Sequence, residues 1–172
     1  MMSYQALKDM ALLLSQPDSL SFLETDVVAT IQNRFGTFNF TDEQTITLKP
    51  GLVGFTEYER FAMAPMPDDG NGHNFRLLQS LDEANLTFIV YPTTYHNALI
   101  DKIDVNQLCH DYAIRSEDLV LLHVVTLRQD DQGATTMSLN VKAPVVINAY
   151  KQKGVQHVLP SNKYATQLML TT

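Results

Sequence analysis

Hydrophobic and polar positions along this chain keep mostly to a period of two, the spacing of strands with one face buried. Val27, Ala29 and Ile31 share a face before Gly36 interrupts them, and Thr45 to Leu48 alternates into a turn at Pro50-Gly51. Gly51 and Gly54 bracket a tight bend that is expected to deliver Phe55 inward. Phe61 to Ala64, Phe75 to Leu81 and Leu86 to Tyr91 read as strands, with a loop over 65–74 and Asp82 to Asn85 joining the last two. Pro92 is expected to close that pair, because proline has no N–H for a ladder. Leu119 to Leu127 is apolar on both faces and predicts a central strand. Asp130 to Gly133 then turns the chain into Ala134 to Leu139.

The next stretch, Leu139-Asn140-Val141-Lys142-Ala143-Pro144-Val145-Val146-Ile147-Asn148, sets a proline inside a strong β pattern. Pro144 therefore marks a sheet edge, a bulge or the start of its own strand. Lys151 to Gly154 supplies a polar turn into Val155 to Leu159, making a hairpin with one irregular arm. Two segments carry the helical period instead. Tyr4, Leu7, Ala11 and Leu14 recur at spacings of three and four within Ser3 to Gln16, ending at Pro17. Asp104 followed by Gln107 reads as a capping box opening a helix whose face is Val105, Leu108 and Tyr112. Together these elements predict a mainly β protein, a small antiparallel β-barrel-like single domain with one or two short helices, residues 1–24 forming an N-terminal helical extension to a domain over 25–172.

Composition narrows the function classes. Of 172 residues 45% are hydrophobic, enough for one sizeable core, and the single Cys109 excludes an intrachain disulfide and a CxxC site. The expected setting is reducing and cytoplasmic, with no signal peptide and no span approaching the ~20 apolar residues a bilayer requires. The net charge of −7 is uneven: residues 1–29 hold one Lys or Arg against four Asp or Glu, residues 30–131 seven against fifteen, and residues 132–172 four against none. A mostly acidic surface disfavours direct nucleic-acid contact and favours a basic protein partner.

No constellation for bond-making chemistry emerges. His73, His96, His110, His123 and His157 are dispersed without metal-ligand spacing, and neither a phosphate loop nor a nucleophile elbow is present. Cys109 and His110 are adjacent, so on a helix their side chains diverge, and Cys109 reads as a small core hydrophobe. His123, inside an apolar strand, reads as a histidine bonded to backbone. The carboxylate pairs Asp42-Glu43, Asp68-Asp69, Asp82-Glu83, Glu117-Asp118 and Asp130-Asp131 fall in loops, where solvated charge is the ordinary role. The expectation is a binding protein, not an enzyme, with no cofactor and no metal.

Four segments in series, Pro50-Gly51-Leu52-Val53-Gly54-Phe55, Phe75-Arg76-Leu77-Leu78-Gln79-Ser80-Leu81-Asp82, Asp118 to Leu127, and Leu139 to Asn148 followed by Lys153-Gly154-Val155-Gln156, resemble the FliW family of bacterial flagellar assembly factors. The likeness runs from roughly Ile31 to Tyr164. It departs at Leu77, where an aromatic is usual, and after Tyr164, where Ala165-Thr166-Gln167-Leu168 replaces an Arg-His-Pro ending. The resemblance implies a FliW-like β-barrel that binds the translational regulator CsrA, relieving its repression of flagellin synthesis, and that binds flagellin as an alternative partner. Because CsrA presents basic surface, Asp82, Glu83, Glu117 and Asp118 are the candidate contacts for it. The irregular segment with Asn140, Lys142 and Pro144 is the candidate contact for flagellin, whose amphipathic helical ends suit an apolar surface. Other readings of the same chain are an enzyme on a small barrel, a barrel enclosing a small hydrophobic ligand, a divergent barrel with another protein partner, and an OB-like nucleic-acid binder.

Overall fold

The computed structural model describes residues 26–67, 74–129, 131, 133–160 and 162–170. The expected helix Ser3 to Gln16 and most of the loop before Phe75 lie outside them. Among the described residues eleven strands are arranged in two sheets. β1 (Val27–Asn33) and β2 (Gly36–Thr41) form a separate hairpin. β3 (Thr45–Leu48), β4 (Arg60–Pro65), β5 (Arg76–Ser80), β6 (Thr87–Thr94) and β7 (Leu119–Gln129) pair successively in antiparallel fashion, and a helix α1 (Lys102–Asp111) lies in the connection from β6 to β7. β9 (Val145–Asn148) and β10 (Lys153–Gln156) form the C-terminal hairpin. Because β9 pairs with β7 and β10 with β3, seven strands close into a barrel. The β3–β10 seam is parallel and only two residue pairs long, Thr47↔Lys153 and Leu48↔Gly154, so the barrel is not wholly antiparallel as expected.

Two apolar layers hold this arrangement. Inside the barrel, Ile46, Leu48, Leu52, Phe61, Leu78, Val90, Leu122, Val145 and Ile147 fill the space between strands. Outside it, Ala62, Leu77, Ile89, Leu121 and Val146 are covered by Ile31 and Phe40 of the β1–β2 hairpin and by Val105 and Leu108 of α1. β7 is apolar on both faces for this reason: one lines the interior and the other lies under the covering layer. Burying both faces removes apolar area at roughly 25 cal/mol per Å², which favours the hairpin and helix docking onto the barrel wall.

Three local expectations are corrected. Pro92 does not end its strand: β6 continues through it to Thr94. Pairing with β5 stops at Arg76↔Val90, so beyond Val90 β6 needs donors toward β7 alone, and a proline is tolerated. In the Pro50–Phe55 bend the buried residue is Leu52, while Phe55 stays partly exposed with its ring edge-on to Phe88 at 5.4 Å. Gly51 is required there by close approach, since a Cβ would meet the Tyr58 carbonyl oxygen at 2.2 Å. The helix begins three residues earlier than the Asp104 capping box predicts. Asp101 is its N-cap, and Asp104 instead takes the Tyr164 hydroxyl and, at 2.8 Å, the Lys163 ammonium.

Pro144 falls where its chemistry requires, directly before β9. β8 (Thr135–Leu139) and β9 pair with the same edge of β7, meeting it at Val125↔Leu139 and Leu122↔Val145. Five residues, Asn140 to Pro144, thus stand opposite two, and the chain bends outward in a large bulge. β8 is extended further by β11 (Leu168–Leu170).

Candidate partner-binding surfaces

The turn between β5 and β6 is built from a buried amide. Gln79, fully buried in an apolar strand, donates from Nε2 to the carbonyls of Ser80, Glu83, Ala84 and Leu86 at 2.8 to 3.3 Å. Its Oε1 accepts from Asn33 Nδ2 at 2.6 Å, tying the β1–β2 hairpin to the same turn. Ser80 Oγ accepts the N–H groups of Asp82 and Glu83 at 3.2 and 3.0 Å. Asp82 then reaches across to β4, accepting from the Arg60 N–H at 2.9 Å and its guanidinium at 2.8 Å. Burial alone would raise the Asp82 pKa, but the Arg60 N–H, guanidinium and charge outweigh it and hold the carboxyl below the usual range. Glu83 is half-buried, and its Oε1 accepts the Asn85 N–H at 2.9 Å.

Glu117 and Asp118 belong to a 3₁₀ turn, Ser116–Asp118, that leads into β7. Asp118 is buried and takes Arg115 Nε at 2.7 Å, while its carbonyl accepts from the Ala149 N–H of the β9–β10 turn. Glu117 is the accessible member: its side chain is 52% exposed and stands 3.3 Å from Arg115 Nη1. The two acidic pairs are not neighbours. One precedes Thr87 at the start of β6, and the other lies beside Thr94 at its end, across Thr94↔Val120. Eight strand residues between them span roughly 25 Å at about 3.3 Å per residue.

In the Asn140–Pro144 bulge the backbone groups are satisfied one by one. Asn140 N–H donates to the Val124 carbonyl, and the N–H groups of Val141 and Lys142 both donate to the Ala165 carbonyl at 3.0 Å. Asn140 Oδ1 accepts the Ala143 N–H at 3.0 Å, and the Lys142 and Pro144 carbonyls accept from Leu159 and His157. Pro144 itself is buried, Asn140 and Lys142 are half-buried, and Val158 beside them is 57% exposed.

This bulge also holds His123. Its ring lies between the Asn140 carbonyl, 3.3 Å from Nδ1, and the Thr93 hydroxyl, 3.2 Å from Nε2. An Nδ1–H donor with Nε2 accepting fits both partners, and burial lowers its pKa to about 4, so the ring is neutral at pH 7. The backbone-bonded histidine expected from the strand pattern is thus present. Cys109 is partly buried against the outer core, and burial pushes its thiol pKa up, which disfavours the nucleophilic thiolate. Among the described residues no three of His, Cys, Asp and Glu converge as metal ligands.

Sequence reasoning passed over two organising residues. Gln79 had a visible signal, a polar side chain within Leu77-Leu78-Gln79-Ser80-Leu81. Gln152 had none: its backbone takes a φ of 52°, and its Nε2 donates to the carbonyls of Asp42, Glu43 and Thr45 at 2.7 to 3.1 Å. Next to it a surface groove of about 380 Å³ runs between the barrel seam and the end of α1. Its walls include Tyr112, Ile114, Val146 and Val155, and Lys49, Lys151 and Lys153 stand along its rim.

With this geometry in place, a model of the family described as FliW protein matches residues 29–170. The flagellar assembly factor FliW of Magnetococcus marinus is 32% identical over 124 residues, covering 72% of this chain and 74% of that protein. That of Clostridium botulinum is 31% identical over 137 residues, covering 78% and 92%. A crystal structure of a flagellar assembly factor FliW superposes with a TM-score of 0.60 at 23% identity, covering 84% of this chain and 98% of the other, a likeness of fold. The family match extends past Tyr164, so the departing segment after it lies within the matched region.

Proposed function

Since this chain belongs to the FliW family, whose named relatives are flagellar assembly factors, we propose that it works by exchanging protein partners: it captures CsrA, relieves its repression of flagellin synthesis, and releases it when flagellin binds. The family match over 29–170, which takes in the whole barrel and both acidic turns, carries this reading. Exchange requires that each partner lower the affinity for the other, by overlap or by coupling through the barrel wall.

On the CsrA side, the accessible carboxylates steer a basic protein and compete for its arginines. Asp82 is held by Arg60 and Asp118 is buried against Arg115, which leaves the half-buried Glu83 and the exposed Glu117, itself 3.3 Å from Arg115, as the contacts to test. Because their turns lie at opposite ends of β6, one of the two is expected to face CsrA. On the flagellin side, Lys142 and the exposed Val158, set on the Asn140–Pro144 bulge, offer a mixed basic and apolar contact for an amphipathic helix.

Association of the purified chain with immobilised CsrA should be followed for Glu83→Lys and Glu117→Lys separately, at two salt concentrations. One variant should slow association several-fold and flatten its salt dependence, and added flagellin should displace CsrA from the wild-type chain. Normal association by both variants removes the steering role. Simultaneous retention of CsrA and flagellin, or binding of neither, overturns the exchange itself.

A further inference from the structure

We propose that the groove beside the barrel seam binds a small amphiphile, an alkyl or aryl carboxylate whose head sits on Thr47, Lys153 and Asn148 and whose body lies on Val146 and Val155. Strand register fixes the two halves of this site. Leu48 and Ile147 fill the barrel interior, so their neighbours Thr47 and Asn148 point to the outer wall, and Lys153 stands between them, paired with both. Two residues further, Val155 and Val146 form an apolar row on the same face. Ile114 and Tyr112 close the side toward α1. The Tyr112 hydroxyl is bonded to His157 Nδ1 at 2.7 Å, which leaves its ring as wall.

The polar row is made of donors that want an acceptor. Asn148 is only 7% exposed, and its Oδ1 accepts the Lys151 N–H at 3.0 Å, which fixes the amide with Nδ2 as its free end. Among the described residues neither Asn148 Nδ2 nor the Thr47 hydroxyl has a hydrogen-bond partner, and a donor so far withdrawn from solvent is costly to leave unpaired. Lys151 and Lys153 form no ion pair among those residues, although Asp42 and Glu43 give their carbonyls to the intervening Gln152. Lys49 reaches only Glu59, at 3.8 Å. No carboxylate lines the groove, so one anionic head answers the amide, the hydroxyl and the ammonium groups together. A phosphate would find neither an arginine fork nor a helix N-terminus here, and the C-terminal end of α1 beside the groove disfavours a doubly charged group. The volume, about 380 Å³, lies at the small end of ligand pockets and holds a medium-length chain or a ring. None of these residues is a candidate contact for CsrA or flagellin, so the inference stands apart from partner exchange.

The test titrates decanoate into the isotope-enriched full chain at neutral pH and follows its amide signals. Those of Thr47, Lys153 and Val155 should shift and saturate, whereas acetate, which lacks the body, and decanol, which lacks the head, should bind at least tenfold more weakly. Asn148→Asp keeps the acceptor for the Lys151 N–H and puts an oxygen in place of Nδ2, and it should weaken decanoate at least tenfold. Lys151→Gln with Lys153→Gln, both at exposed positions, should leave the fold unchanged and weaken it at least fivefold, while Arg34→Gln with Arg128→Gln, exposed elsewhere, should have no effect. Equal affinity for decanol overturns the proposal by reducing the groove to apolar contact, as does decanoate binding that survives both groove variants. Shifts confined to residues outside the groove also overturn it. So does binding only of a peptide that ends in leucine with a free carboxylate, which makes a protein tail the occupant.

Discussion

At His123 a single ring is held neutral by burial between Thr93 and the bulge carbonyl, and stability should therefore depend on pH. The folded pKa is about 4 against about 6.5 in an unfolded chain, so between these values the unfolded state binds more protons. Stability is complete above pH 6.5 and falls as pH drops toward 4. From pH 7.5 to pH 5 the loss expected from this ring is about 2 kcal/mol, at about 1.4 kcal/mol per pH unit. Urea titrations at both values check it, and His123→Gln should lose less than half as much. At this scale the strand pattern sufficed for His123, because an isolated histidine in an apolar run must find a local partner. It failed at Leu52 and Phe55, which compete for one interior position that the bend settles. It failed also at Asp101 and Asp104, because the latter is claimed by Tyr164 and Lys163 from a distant part of the chain.

The β5–β6 turn is an element whose shape rests on one amide. Gln79→Ala would leave the Asn33 amide with only Thr87 Oγ1 at 3.3 Å and the Ser80 and Ala84 carbonyls without their side-chain donor, each costing on the order of 1–3 kcal/mol where water does not replace the bond. A loss of about 3 kcal/mol in urea unfolding is expected, with the β1–β2 amides exchanging faster because Asn33 loses its anchor. Normal stability would show that water replaces the amide. Strands themselves were legible from alternation and β-branched runs, and Pro144 correctly marked an irregularity. Their partners were not: β7 shares one edge between β8 and β9, and nothing local in Leu119 to Gln129 announces that division.

For the molecule as a whole, closure of the ring depends on two residue pairs and on Gln152, which clamps the Asp42–Thr45 carbonyls to the C-terminal hairpin. Gln152→Ala should raise amide exchange at Thr47 and Lys49, whose N–H groups donate to the Gln152 and Gly154 carbonyls, at least tenfold while β5 and β6 stay protected; equal protection would assign closure to the interior side chains alone. Curling of the sheet was legible from many short strands, whereas the parallel seam was not, since it joins residues about a hundred positions apart. The distribution of charge was readable as a total but not as a map, because the two acidic turns only separate once β6 is laid between them. That late seam has a consequence for biosynthesis. While the ribosome still holds Lys153 to Gln156, β3 carries a bare edge and the inner wall lacks Val145 and Ile147, so every nascent copy passes through a sticky open trough. A message broken upstream of Lys153 would yield not a weakened product but a seed for clumping.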